Sequence, residues 1–89
     1  MKLKFDHAKN EKNIQERGIS FELAVDFDLA TAKIWPDTRK DYGEKRFIAL
    51  GYIGNRLFSM VFTVRNDVLR IISLRKANKR EVHNYEQQP

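Results

Sequence analysis

The chain has no cysteine, two histidines, two prolines and four glycines in 89 residues, and each scarcity removes a class of function. Without cysteine there is neither a disulfide framework nor a thiolate zinc site. His7 and His83 stand far apart, and acids such as Asp26 and Asp28 lack an ion-binding spacing, so no metal is expected. Gly18, Gly43, Gly51 and Gly54 do not assemble a phosphate-cradling loop; nucleoside triphosphate binding is unsupported and no cofactor is expected. The longest apolar stretches, such as 57–64, fall far short of the ~20 residues that a membrane span needs. The start, MKLKFD, lacks a signal-peptide core, so a cytoplasmic location without membrane contact is expected.

What is present is apolar area and unevenly placed charge. With 42% hydrophobic and 33% charged residues, the composition suits one folded domain over 1–89, and a chain of this size buries about 60–65% of its unfolded surface. From position 65 to 80 six basic residues (Arg65, Arg70, Arg75, Lys76, Lys79, Arg80) face one acid, Asp67, a local balance equal to the net charge of +5. The remaining charges cancel. A cationic strip on a neutral body attracts phosphate, and a polyanion meeting it releases counterions.

Leu3 and Phe5 alternate with Lys2 and Lys4, a short edge strand blunted by lysine. Asp6 can cap a polar helix over 7–17, stopped by Gly18, with Ala8 and Ile14 as its apolar contacts and Lys9, Lys12, Glu16 and Arg17 in solvent. Ser20 can cap a second short helix that buries Phe21, Ala24, Val25 and Phe27. A strand at 31–35 ended by Pro36 and an exposed loop at 37–45 follow. Then 47–53, 57–64 and 68–74 read as a three-stranded antiparallel meander joined by turns at Gly54-Asn55 and Asn66-Asp67. Phe58, Met60, Phe62 and Val64 share one face of its middle strand, and Ser59, Val61, Thr63 and Arg65 the other. Asn78 and Glu81 have capping-box spacing for a last helix towards Gln87, docked by Val82 and Tyr85. The class is α+β, with helices on one face of a twisted, mainly antiparallel sheet.

Metal-free cleavage of RNA requires activation of a 2′-hydroxyl, stabilisation of a charge-rich phosphorane and protonation of the leaving oxygen. Guanidiniums suit the middle step, because their planar fork matches phosphate oxygens. Arg70 and Arg75 stand on a candidate central strand, but strict alternation sends them to opposite faces unless a bulge reorients one or Arg75 lies beyond the strand; solvated or partner-binding arginines are the alternative. Glu44 and Arg46 enter a strand from the long loop, with Glu44 a candidate base and a plain surface ion pair as its competitor. Glu81 has a full explanation in the capping box, and His7 and His83 read as surface residues.

The blocks FDHAKNEKNIQERGISFELA, GEKRFIALG and RIISLRKANKREVHNYE resemble the BrnT-type ribonuclease toxins of bacterial toxin–antitoxin systems. The carrying positions are Phe5, Asp6 and Lys9; Glu44, Arg46, Phe47 and Gly51; and Arg70, Ser73, Arg75, Ala77, Glu81 and Tyr85. One departure stands out: where many relatives have histidine before the glycine, this chain has Arg17. The resemblance implies a RelE-like α+β fold and a metal-independent endoribonuclease that inhibits growth. It also implies a BrnA-type antitoxin that neutralises the toxin and carries the complex to operator DNA. On that reading Glu44, Arg46, Arg70 and Arg75 are catalytic, and Arg65, Lys76, Lys79 and Arg80 bind RNA. The competing readings are a noncatalytic nucleic-acid-binding module, which would bind without cutting, and an antitoxin-binding module with no nucleic-acid affinity of its own.

Overall fold

A computed structural model describes residues 2–87. Its elements are β1 (Lys2–Phe5), α1 (His7–Arg17), a 3₁₀ helix (Phe21–Asp26), β2 (Lys33–Pro36), β3 (Phe47–Ile53), β4 (Arg56–Arg65), β5 (Val68–Lys76) and α2 (Lys79–Gln87). The five strands form one mixed sheet in the order β1-β5-β4-β3-β2, antiparallel except for the parallel pair β1–β5. The meander is as expected, and β1 is an edge strand with Leu3 and Phe5 turned to the core. The middle strand of the whole sheet is β4, not the arginine-bearing β5, because β1 adds beyond β5.

Turn chemistry sets the register. Asn66 and Asp67 both hold positive φ (51° and 62°) and Gly54 holds 62°, matching the right-handed strand twist as hairpin turns of the primed types do. Gly51 has a different reason to be glycine: a Cβ there would lie 2.7 Å from the Phe27 ring.

α1 and the 3₁₀ helix cover one sheet face, where Phe21, Phe27, Phe58, Met60, Phe62, Leu69, Ile71 and Leu74 make the main core. α2 is on the other face, where Leu50, Leu57 and Ala77 pack with Tyr52, Val82 and Tyr85. The expectation of all helices on one face is corrected here. Period-2 alternation gives the reason: Leu50 and Leu57 point away from Ala49 and Phe58, and need a cover of their own. No helix covers the rest of that second face among the described residues, although Ser59 and Thr63 on it are buried beneath neighbouring side chains and the loop before β3.

Three local expectations also change. α1 buries Asn10 and Asn13 rather than Ala8, because Asn13 Nδ2 donates to the carbonyls of Ile19 and Leu74, both at 2.9 Å, and Asn10 Oδ1 accepts from Phe21 N. These bonds dock the polar helix on the edge of β5 beyond its pairing with β1. Val25 is 73% exposed, since a 3₁₀ turn has three residues and presents a narrower buried face than an α-helix. β2 starts at Lys33, two residues later than expected, and includes Pro36, which an edge strand tolerates.

Candidate nucleic-acid interface

The decisive local feature is a β-bulge. Val61 pairs with Ser73 and Phe62 with Ile71, so Ile72 is an extra residue on β5. The inserted residue resets the alternation. Arg70 pairs with Thr63 and Arg75 with Ser59, and these two β4 positions share a face, so both arginines lie on the open side while Ile71 and Leu74 stay in the core. Their β4 partners are four residues apart, which separates the backbones by ~13 Å. Lys4 pairs with Arg70 across β1 and adds another cation on this face.

At one end, a cavity of about 120 Å³ is lined by Asp6, Lys9, Glu44, Thr63, Arg65, Arg70, Ile71 and Ile72. Arg70 is half-buried, and its guanidinium has no hydrogen-bond or ion-pair partner among the described residues. Glu44 accepts from Arg65 Nη2 and, at 3.2 Å, from Arg46 Nε. The Arg65 guanidinium foremost, and then Arg46, holds the Glu44 carboxyl below its ordinary range. Arg46 in turn lies 4.1 Å from the centre of the Tyr42 ring. Thr63 Oγ1 donates to Lys45 O at 2.7 Å, tying the loop to the sheet. In that loop buried Asp37 accepts from Nε and Nη2 of Arg39, both at 2.8 Å, which drives its carboxyl far below the usual range.

At the other end, Arg75 forks onto Glu81, with Nη1–Oε1 at 2.7 Å and Nη2–Oε2 at 2.9 Å. Glu81 also closes the capping box with Asn78, accepting from its N–H at 2.9 Å, while Glu81 N donates to Asn78 Oδ1 at 2.8 Å. Arg75 accordingly lowers the pKa of Glu81, and Glu81 raises that of Arg75. The Arg39 guanidinium is close enough to oppose the Arg75 charge.

The structure therefore brings together Glu44, Arg46, Arg65 and Arg70, and sets Arg75 on the same face but apart. The basic strip is divided by the pleat. Lys76 pairs with Phe58 and belongs to the side that carries α1 and the 3₁₀ helix. Lys79 and Arg80 are exposed on the first turn of α2, where Lys79 lines a groove with Arg56, Ala77, Val82, His83 and Glu86. Arg17 lies on α1, donating to Asn13 Oδ1 at 2.6 Å, and lines a neighbouring groove with Lys9, Lys12, Asn13, Glu16 and Ile72. Asp6, Lys9 and Thr63 join the Arg70 cavity without having been singled out as site residues. For Asp6 and Lys9 the one sequence signal is the Phe5-Asp6-x-x-Lys9 start, where Asp6 already has a use as the cap that accepts from Lys9 N; Thr63 carries no such signal.

Such a surface can hold a polyanion. Arg70 presents an unsatisfied fork of donors, and Glu44 is an ionised acceptor beside it. No group of three or more histidines, aspartates and glutamates that could hold a metal ion occurs among the described residues, and no described helix is long and apolar enough to cross a membrane. The family model described as ribonuclease toxin, BrnT, of type II toxin–antitoxin system matches residues 5–81. No curated protein matches the chain.

Proposed function

The chain belongs to the BrnT family of ribonuclease toxins of type II toxin–antitoxin systems, and from that premise we propose that it is a RelE-like, single-domain, metal-independent endoribonuclease whose RNA site is the open sheet face. The observation that carries this reading is the Ile72 bulge, which gives Arg70 and Arg75 a common face. In the proposed reaction Arg70 donates to the non-bridging oxygens of the scissile phosphate and stabilises the charge that grows there. Glu44 receives the 2′-hydroxyl proton as that oxygen attacks phosphorus. The bond from phosphorus to the 5′-oxygen breaks, leaving a 2′,3′-cyclic phosphate, and Lys9, an ammonium in the same cavity, protonates the departing oxygen. Arg46 and Arg65 hold Glu44 and steer the substrate. Arg75 holds an adjoining phosphate, and Lys76, Lys79 and Arg80 supply attraction along the RNA backbone.

We further propose a cytoplasmic toxin that is neutralised by a BrnA-type antitoxin and reaches operator DNA only through that complex. The test is incubation of purified, antitoxin-free protein with total RNA in EDTA, beside folded Arg70→Ala. Wild type is expected to leave cyclic-phosphate ends, and the variant to cut roughly 10²–10³-fold more slowly, the usual cost of one lost oxyanion donor. Undiminished cleavage by Arg70→Ala would refute the assignment.

A second reading has its own support, because Glu44 and Arg75 are both engaged in ion pairs that explain them structurally. On that reading the face is a noncatalytic nucleic-acid- or antitoxin-binding module. It predicts that wild-type protein leaves RNA intact while binding either RNA or the antitoxin.

A further inference from the structure

We propose that Trp35 is a stacking platform for the nucleobase adjoining the phosphate on Arg75, in a pocket between β2 and α2; this rests on the open face being an RNA site. The pocket has a volume of about 260 Å³ and is lined by Lys33, Trp35, Leu50, Glu81, Asn84 and Tyr85. That is below the ~300–1,000 Å³ of sites for drug-sized ligands, and suits a single planar ring system.

Its position follows from strand register. Lys33 pairs with Leu50, Leu50 with Ser59 and Ser59 with Arg75, so one cross-strand row leads from the pocket floor to Arg75. Trp35, two residues from Lys33 on β2, points to that same face. Glu81 is both a pocket wall and the carboxylate that forks Arg75. Arg75 thus stands next to the pocket, behind its Glu81 wall, and a nucleotide whose phosphate meets the remaining Arg75 donors can turn its base inward.

The two aromatic walls differ in availability. Tyr85 is committed: its hydroxyl donates to Thr31 O at 2.8 Å, its ring meets Tyr52 edge-on at 5.5 Å between centroids, and the Lys33 ammonium stands 4.9 Å from its centroid. Trp35 is 40% exposed, and its indole has no ring or hydrogen-bond partner among the described residues. An aromatic face left open beside cations is the arrangement by which single strands are held, because every base offers a π-face. Asn84, with both a donor and an acceptor in its amide, is placed to contact the edge of a stacked base.

Trp35 is the sole tryptophan, so indole fluorescence reports on it alone. The probes are a fluorescently labelled, fully 2′-O-methylated RNA oligonucleotide, which lacks the attacking hydroxyl, and inorganic polyphosphate, which carries charge without bases. Saturable quenching by the oligonucleotide and none by polyphosphate is expected. By anisotropy Trp35→Ala should weaken oligonucleotide binding roughly 5- to 150-fold, the range of one lost stack, and Trp35→Phe should restore most of it. If the oligonucleotide binds wild type and Trp35→Ala equally, or polyphosphate quenches as strongly, the platform is refuted while the RNA site stands. If wild type neither binds the oligonucleotide nor cuts RNA, the RNA site falls and the platform with it.

Discussion

Glu44 shows how a single side chain inherits its chemistry from its neighbours. Arg65, and less strongly Arg46, lowers its pKa, so the carboxylate stays ionised well into acid but is a weak proton acceptor at neutral pH. Removing Arg65 should let that pKa rise towards its ordinary 4.5. The acid limb of kcat/KM for Arg65→Ala should therefore shift to higher pH; a profile that keeps the wild-type limb would take Glu44 out of the reaction. Glu81 offers a second test on stability. Its folded pKa is depressed by Arg75, so its contribution is fully present above the 4.5 of the unfolded chain and is lost as pH falls through the lower folded value. Glu81 raises the pKa of Arg75 above its already high ordinary range, so its own titration matters only in strong alkali. The stability gap between wild type and Glu81→Gln, measured by urea denaturation at pH 7 and pH 3, should be narrower at pH 3.

At the scale of elements, α1 is held by asparagines where an amphipathic helix would use leucines. Asn13 is 3% exposed, and its amide serves two carbonyls at once. Asn13→Ala should cost about 1–3 kcal/mol, since it leaves buried acceptors unsatisfied, whereas exposed Glu16→Ala should stay within about 0.5 kcal/mol; urea midpoints for the two variants decide. This docking was illegible in the sequence because helix periodicity registers apolar positions and passes over a buried amide. Hairpins and caps were legible, since Gly54, Asn66-Asp67, Asp6, Ser20 and Asn78–Glu81 each act on backbone within a few residues. The face of Arg75 was not. Its side depends on one extra residue, Ile72, whose bulge forms only against β4, and alternation alone gives the opposite result. The placement of α2 failed for a related reason: a helix pattern tells which of its own sides is apolar, not which sheet face needs covering.

Across the whole molecule, the +5 charge is contiguous in sequence but divided in space, and the division is measurable. A field drawn from all six basic residues would accelerate encounter with RNA whichever way each side chain points. Contacts that release counterions are different, because only a cation seated on a phosphate contributes to the salt slope, at about 0.7 per phosphate for a single strand. Arg70 lies on the open face, its guanidinium without a partner among the described residues, whereas Lys76 is paired opposite Phe58 on the side that carries α1 and the 3₁₀ helix. With the 2′-O-methylated oligonucleotide titrated over a salt series, Arg70→Ala should flatten log Kobs against log salt by about 0.7, and Lys76→Ala should leave the slope at the wild-type value. The two variants remove the same formal charge from one strand, so net charge cannot distinguish them. Equal slopes for both would mean that RNA is held by the diffuse field of the strip, and that the open face is not where it docks.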